Sequence, residues 1–393
     1  MRNAAFAGVV VTALAGAVHA TDPATAQGAP LIVGAAIAQS GPLAPYDDGP
    51  YKAMQMAIDD LNAHGGVLGR PLKLLSVDTK SDISYGATAA QRVIDKGASL
   101  VVVTCDYDYG SAAANIANAK RLVTFSTCAG DPKFGPSGIG PYAYTMATSS
   151  PGEAVIMAEW AHARGYKTAY LLLETDTAFD ASFAEAFKKR WVALAGAQSF
   201  YGQDTFAGED PQIATQITRL QSLAQKPDVI VVSAAPPAGV SAVRQLRAAN
   251  ITQPLLGSDS WDGDYWLAGV PNLSNMFFVT YGSISGSDPR PSLKSFFEAF
   301  NTRYGKPPMQ SNALTGYSVI EAWARAVARA GSTDSDKVRA VLDTFKSEPL
   351  LVGPTSYTRE VHINGSRNMV IMQISGGKQG QVIGVFAPIE PPR

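Results

Sequence analysis

The sequence predicts an α/β protein of two lobes, each built on a parallel sheet. Strand-like and helix-like segments alternate from residue 31 onward, and alternation of this type builds a parallel sheet with helices on both faces. The alternation breaks near "ATSSPGE" (147–153) and then starts afresh. A chain of 393 residues is also long enough for two domains with separate cores.

In the first run, "LIVGAAI" reads as a strand, and Tyr51, Met54, Ile58 and Leu61 recur at helical spacing on one face. The glycines of "HGGVLGRP" stop that helix before a second strand, "LKLLSVD". A helix over about 85–96, a strand over 99–104, a helix over about 110–120 and a strand over 121–126 follow. In the second run, "EAVIMAEWAHARG" leads to the strand "KTAYLLLE" (167–174). Phe183, Phe187, Trp191 and Leu194 mark one helix, and Ile213, Ile217, Leu220 and Leu223 another. "DVIVVS" (228–233), a helix carrying Val240, Val243 and Arg247, and the short strand "PLLG" (254–257) close the run. Residues 290–345 read as mostly helical, and "RNMVIMQIS" with "GQVIGVFAP" as a β-ribbon. That ending implies a chain that crosses between its lobes more than once.

The N-terminus differs in kind. Arg2 precedes the uncharged run "AAFAGVVVTALAGAV" (4–18), which is shorter than the roughly 20 apolar residues of a membrane span. Small residues at Val18-His19-Ala20 and Ala24-Thr25-Ala26 offer cleavage after Ala20 or Ala26, so residues 1–26 read as a secretory signal peptide. Export suits the two cysteines, Cys105 and Cys128, each following an apolar run. If those runs are neighbouring parallel strands, the pair comes within bonding range; one disulfide and two buried free thiols are the alternatives.

Several chemistries find no support. Net charge is −1 with no Lys/Arg cluster, so no nucleic-acid partner is expected. No phosphate loop, H-E-x-x-H or G-x-S-x-G pattern occurs, and the four histidines share no ligand spacing. No cofactor, metal or catalytic residue is therefore expected, and the protein is read as a binder and not an enzyme. What the strand ends do offer is hydroxyls, carboxylates and aromatics: Tyr46; Tyr107, Asp108 and Tyr109; Ser126, Thr127 and Ala129; Asp176 and Phe179; Ala235 and Pro236; Asp259 and Trp261. In parallel sheets, ligands bind outside these carboxyl ends, and such groups suit a small polar solute held between two walls.

"IAQSGPLAPY" and "AIDDLNAHGGVLGRPLKLLSVDTKSD" (57–82) resemble the N-terminal signature of type I periplasmic solute-binding proteins of ABC importers. The group resembled is the leucine/isoleucine/valine-binding (branched-chain amino acid/amide) family. "RQLRAANITQPLLGSDSW" (244–261) and "NALTGYSVIEAWARAV" (312–327) extend the likeness over essentially the whole mature chain. The resemblance implies two Rossmann-like lobes joined by three hinge crossings, with 30–148 and 282–355 in lobe 1 and 149–281 and 356–393 in lobe 2. It implies a monomer in the periplasm that captures a small solute by hinge closure and passes it to ABC permease subunits. A ligand-sensing module on the same fold and an exported hydrolase are the alternatives.

Position by position, the resemblance assigns Tyr46 to stack on the ligand and Asp259 to receive its ammonium. Phe179 takes the place of a ligand-facing tyrosine, while Ala129 and Gly130 stand where a backbone N–H and a threonine usually contribute. Tyr107 replaces a carboxylate-binding serine, Ala235 or Pro236 a tyrosine, and Asp47 a glycine. The α-amino-acid recipe is thus incomplete. A donor-rich amine or amide, or a flat aromatic solute beside Tyr46, Tyr107, Tyr109, Phe179 and Trp261, fits what remains.

Overall fold

The computed structural model describes residues 28–389. The expected signal peptide, 1–26, lies outside them. The first sheet holds β1 (Leu31–Ile37), β2 (Leu72–Asp78), β3 (Ala98–Val103), β4 (Thr124–Ser126) and β5 (Ala143–Thr145), all parallel, in the order β2-β1-β3-β4-β5. Its central strands are apolar on both faces because helices cover both. These are α1 (Ala44–Ala63), α2 (Ile83–Asp95) and α3 (Tyr107–Ala119). Asp82 caps α2 by accepting from the backbone N–H groups of Ser84 and Tyr85.

Helix α3 starts three residues earlier than the sequence suggests, so Tyr107, Asp108 and Tyr109 occupy its first turn. Strand β4 is shorter than the expected 121–126, since Arg121 turns through a positive φ of 54° before it.

The second sheet holds β6 (Ala169–Glu174), β7 (Phe200–Phe206), β8 (Val229–Ser233), β9 (Leu255–Gly257) and β10 (Met276–Thr280), again parallel. Helices α4 (Ser150–Ala163), α5 (Ala178–Ala195), α6 (Ala214–Ser222) and α7 (Ala238–Ala248) accompany it. Ser149 and Thr177 cap α4 and α5, accepting from Gly152 N and Asp180 N at 3.1 Å each.

Three further helices follow: α8 (Pro291–Tyr304), α9 (Ala313–Ala330) and α10 (Ser335–Leu342). The chain then forms a small ribbon of β11 (Glu348–Leu350) and β12 (Gly353–Thr355). Helix α9 returns to the first sheet and crosses α1 so closely that a Cβ on Gly316 would stand 2.1 Å from the Pro50 carbonyl oxygen. Only glycine permits that crossing.

Finally β13 (Met369–Ser375) and β14 (Lys378–Phe386) join the second sheet antiparallel, giving the order β14-β13-β10-β9-β8-β6-β7. The second sheet is therefore mixed and not purely parallel, because a two-residue turn returns β14 directly alongside β13. The chain passes between the two sheets three times, after β5, β10 and β12. No described helix is long and apolar enough to cross a membrane.

Candidate functional site

Each sheet has a switch point between two neighbouring strands. In the first, the connections leaving β1 and β3 run to opposite sides; in the second, those leaving β6 and β8 do. At such a switch point the strand ends leave a crevice, where ligands of open α/β sheets bind. A cavity of about 170 Å³ lies where the two crevices face one another. The first sheet lends it Pro42, Leu43 and Tyr46 after β1, and Cys105, Asp106 and Tyr109 after β3. The second lends Glu174, Phe179 and Asp180 from β6 and α5, and Ala235 to Ala238 after β8.

The stretch "SGPLAPYDDG", the turn after β1 and the start of α1, sits at the heart of the first crevice. Asp47 is buried, and its two oxygens accept from Ala38 N at 2.7 Å and Cys105 N at 2.9 Å. One carboxylate thus ties the end of β1 to the end of β3. Burial pushes its pKa up to about 7 against the pull of those hydrogen bonds. Asp48 faces away and pairs with Lys52 one turn on, at 2.7 Å. Tyr46 turns toward the second sheet and donates through its hydroxyl to the Ser260 carbonyl at 3.3 Å.

A disulfide joins Cys105 to Cys128 with their Cα atoms 4.9 Å apart, linking the loops after β3 and β4 at the cavity wall. The next residue, Asp106, has φ 79° and ψ 147°, a conformation that costs a non-glycine residue strain. Its side chain caps α3 by accepting from Asp108 N at 2.7 Å.

Of the residues expected at the site, Tyr46, Tyr109, Phe179, Ala235 and Asp259 line the cavity. Six others sit elsewhere. The Tyr107 ring lies under the Lys133 ammonium, 5.8 Å from its centroid. Ser126 is buried and accepts from Ala129 N at 3.0 Å, bracing its own turn. Thr127 and Ala129 are buried outside the lining. Gly130 stands behind Phe179: a Cβ there would meet the ring at 2.6 Å. Trp261 is fully buried in the core of the second sheet and donates to the Val232 carbonyl at 3.2 Å. It supports the site from beneath.

The residues the sequence reading missed are mostly acids. Asp106, Glu174 and Glu209 line the cavity, with Asp180 and Asp262, and join Asp176, which the strand ends already named. Glu153, in the first turn of α4, accepts from Asp259 N at 3.0 Å. Burial foremost, and then the neighbouring Asp259, push the Glu153 pKa well above its ordinary value. Burial also raises Asp106, Glu174 and Asp259 to about 7 each, and Asp180 well above its ordinary value. Asp262 is different: it accepts from Ser311 N at 2.6 Å and from Thr280 Oγ1 at 2.9 Å, so it binds the crossing after β10 to the start of α9. Among the described residues, no three His, Cys, Asp or Glu side chains converge to hold a metal ion.

The model of a family described as periplasmic binding protein matches residues 30–380. The chain belongs to the periplasmic binding protein family. It is 24% identical over 334 residues to the Leu/Ile/Val-binding protein BraC3 of Rhizobium johnstonii, covering 84% of this chain and 88% of that one. Among solved structures, the substrate-binding protein LivJ of a branched-chain amino acid transporter from Streptococcus pneumoniae, with isoleucine, superposes with a TM-score of 0.78 at 20% identity. That match covers 91% of this chain and all of the other. A solute-binding protein of an ABC transporter from Rhodopseudomonas palustris, with 3,4-dihydroxybenzoic acid, gives 0.77 at 20% identity, over 92% and 99% of the two chains. At these identities the structures establish the fold. The cavity between the two sheets is therefore read from the residues of this chain alone.

Proposed function

We propose that the protein is the periplasmic solute-binding component of an ABC importer, capturing a small organic solute between its lobes and delivering it to membrane permeases as a monomer. The single observation carrying this reading is one cavity lined from both sheets at their switch points. The lobes in this reading comprise 30–148 with 282–355, and 149–281 with 356–393. Lobes joined by a few crossings can close on a ligand by hinge rotation, which requires only tighter binding to the closed form. A cavity of about 150 Å³ accommodates benzene, so about 170 Å³ suits a solute of one ring or a short branched chain.

A thermal-shift screen over amino acids, amides, amines and aromatic acids tests the reading. A solute at 100 times its Kd adds about 2.7 kcal/mol of stability. The reading predicts a clear shift with at least one class and recovery of the solute unchanged. A bound amide or ester that is turned over contradicts it.

A further inference from the structure

The walls of the cavity are electrically one-sided. Asp106, Glu174, Asp176, Asp180, Glu209 and Asp259 line it, with no lysine, arginine or histidine among the lining residues. The charges acting most on these carboxyls are other carboxyls: Glu174, Asp106 and Asp259 on Asp180; Asp108 and Asp131 on Asp106; Asp262 on Asp259.

Two buried acceptors on residues that line the cavity lack donors. Asp180, 1% exposed, uses Oδ2 to accept from Thr177 at 2.8 Å, while its Oδ1 has no partner. Asn312, 5% exposed, donates to the Tyr46 carbonyl at 2.9 Å, while its Oδ1 has none. Buried polar atoms are ordinarily paired, so both call for a ligand that donates.

Three backbone donors beside the cavity are already taken by the protein's own acids. At the start of α3, Asp108 N donates to Asp106; at the start of α5, Ala178 N donates to the Asp108 carboxylate at 2.8 Å. Asp259 N donates to Glu153. Aromatic rings of Tyr46, Tyr109 and Phe179 complete the walls, and such faces attract cations.

We propose that the solute is a small organic cation, an ammonium or amidinium without a carboxylate, whose N–H groups meet Asp180, Asn312 and Asp259. This rests on the solute-binding reading above. Asp180 and Asp259 supply the countercharge, the aromatic rings face the carbon frame, and an amino-acid or benzoate carboxylate meets repulsion from the acidic walls.

Calorimetric titration with two matched sets of probes tests it. Benzamidine, benzamide and benzoate share a planar frame and differ in charge. Isoamylamine, leucine and 4-methylpentanoate share a branched chain and carry an amine, both groups, or a carboxylate. The expected result is that the cation of at least one set binds about tenfold or more tightly than its counterparts. Asp180→Asn weakens that cation by a similar factor, and exposed Asp176→Asn weakens it less while raising no folding question. Tighter binding of benzoate, leucine or 4-methylpentanoate overturns the inference and leaves the solute-binding reading intact. So does a wider library whose tightest solute is neutral, anionic or calcium. A library in which nothing shifts the melting temperature overturns both.

Discussion

Asp108 and Ala178 meet across the cleft: the Asp108 carboxylate, in the first turn of α3, accepts the Ala178 amide at the start of α5 at 2.8 Å. Together with the Tyr46–Ser260 hydrogen bond it latches one lobe to the other beside the cavity. Both bonds exist only when the lobes are close. A hydrogen bond to a charged group contributes about 1.5–3 kcal/mol. Asp108→Ala is therefore expected to favour the open form and weaken solute binding by about 10- to 100-fold. Small-angle scattering should report a larger radius for the variant at subsaturating solute; an unchanged affinity would show that the latch is inconsequential.

Asp47 carries structure and not ligand. Asp47→Asn leaves one acceptor oxygen for two buried N–H groups, those of Ala38 and Cys105. Leaving a buried donor unpaired costs about 1–3 kcal/mol. Urea unfolding should show a loss in that range. A variant as stable as the parent would mean that the two strand ends do not depend on this carboxylate.

Gly130→Thr would restore the threonine that the family resemblance leads one to expect there. The added Cβ would stand 2.6 Å from the Phe179 ring, so Phe179 must leave the cavity wall. Solute affinity should fall while unfolding of the solute-free protein changes little. The loss should shrink in a Phe179→Ala background, because the two residues are in contact. Additive losses would separate them.

The buried acids set a pH dependence. Asp106, Glu174 and Asp259 titrate near 7 in the folded chain and near 4 when unfolded. The folded state therefore binds more protons between those values. Stability from these groups is fully present below about pH 4 and is lost as pH rises through 7. The lowered acids, among them Asp288, Asp343 and Glu348, work in the opposite sense and only below about pH 4. Solute-free protein should thus melt at a lower temperature at pH 8 than at pH 5. An organic cation should add more stability at pH 8, where it displaces fewer protons. A melting temperature that rises steadily from pH 5 to 8 would contradict the assignment.

The two β/α runs were legible because continuous apolar strands and helical spacing are strong local signals, as in "LIVGAAI" and Phe183-Phe187-Trp191. Strand β7 was not, because as an edge strand it carries Gly202, Gln203 and Asp204 in place of an apolar run. Strand β10 spans only five residues, too short a run for periodicity to tell a strand from a buried helix segment. At the site, reading strand ends brought Tyr46, Phe179 and Asp259 together because parallel strands end on one side.

Tyr107 and Tyr109 were indistinguishable until the start of α3 was known. Two residues apart on a helix, they face different ways, and only Tyr109 reaches the cavity. The acids escaped notice for a related reason. Asp106 caps a helix and Asp180 lies in a first turn, positions where carboxylates favour the helix dipole whether or not they face a cleft. The sequence carries no local mark of the second sheet that faces them.

The most direct test of the account takes one residue from each wall of the cavity. Wild-type protein, Tyr46→Ala and Phe179→Ala are titrated with the tightest solute of the screen, and the solute is then recovered and weighed by mass spectrometry. The account predicts one solute per chain, recovered at unchanged mass, and an affinity lower by about tenfold or more in each variant. A solute altered in mass, or binding undiminished by both substitutions, would contradict it.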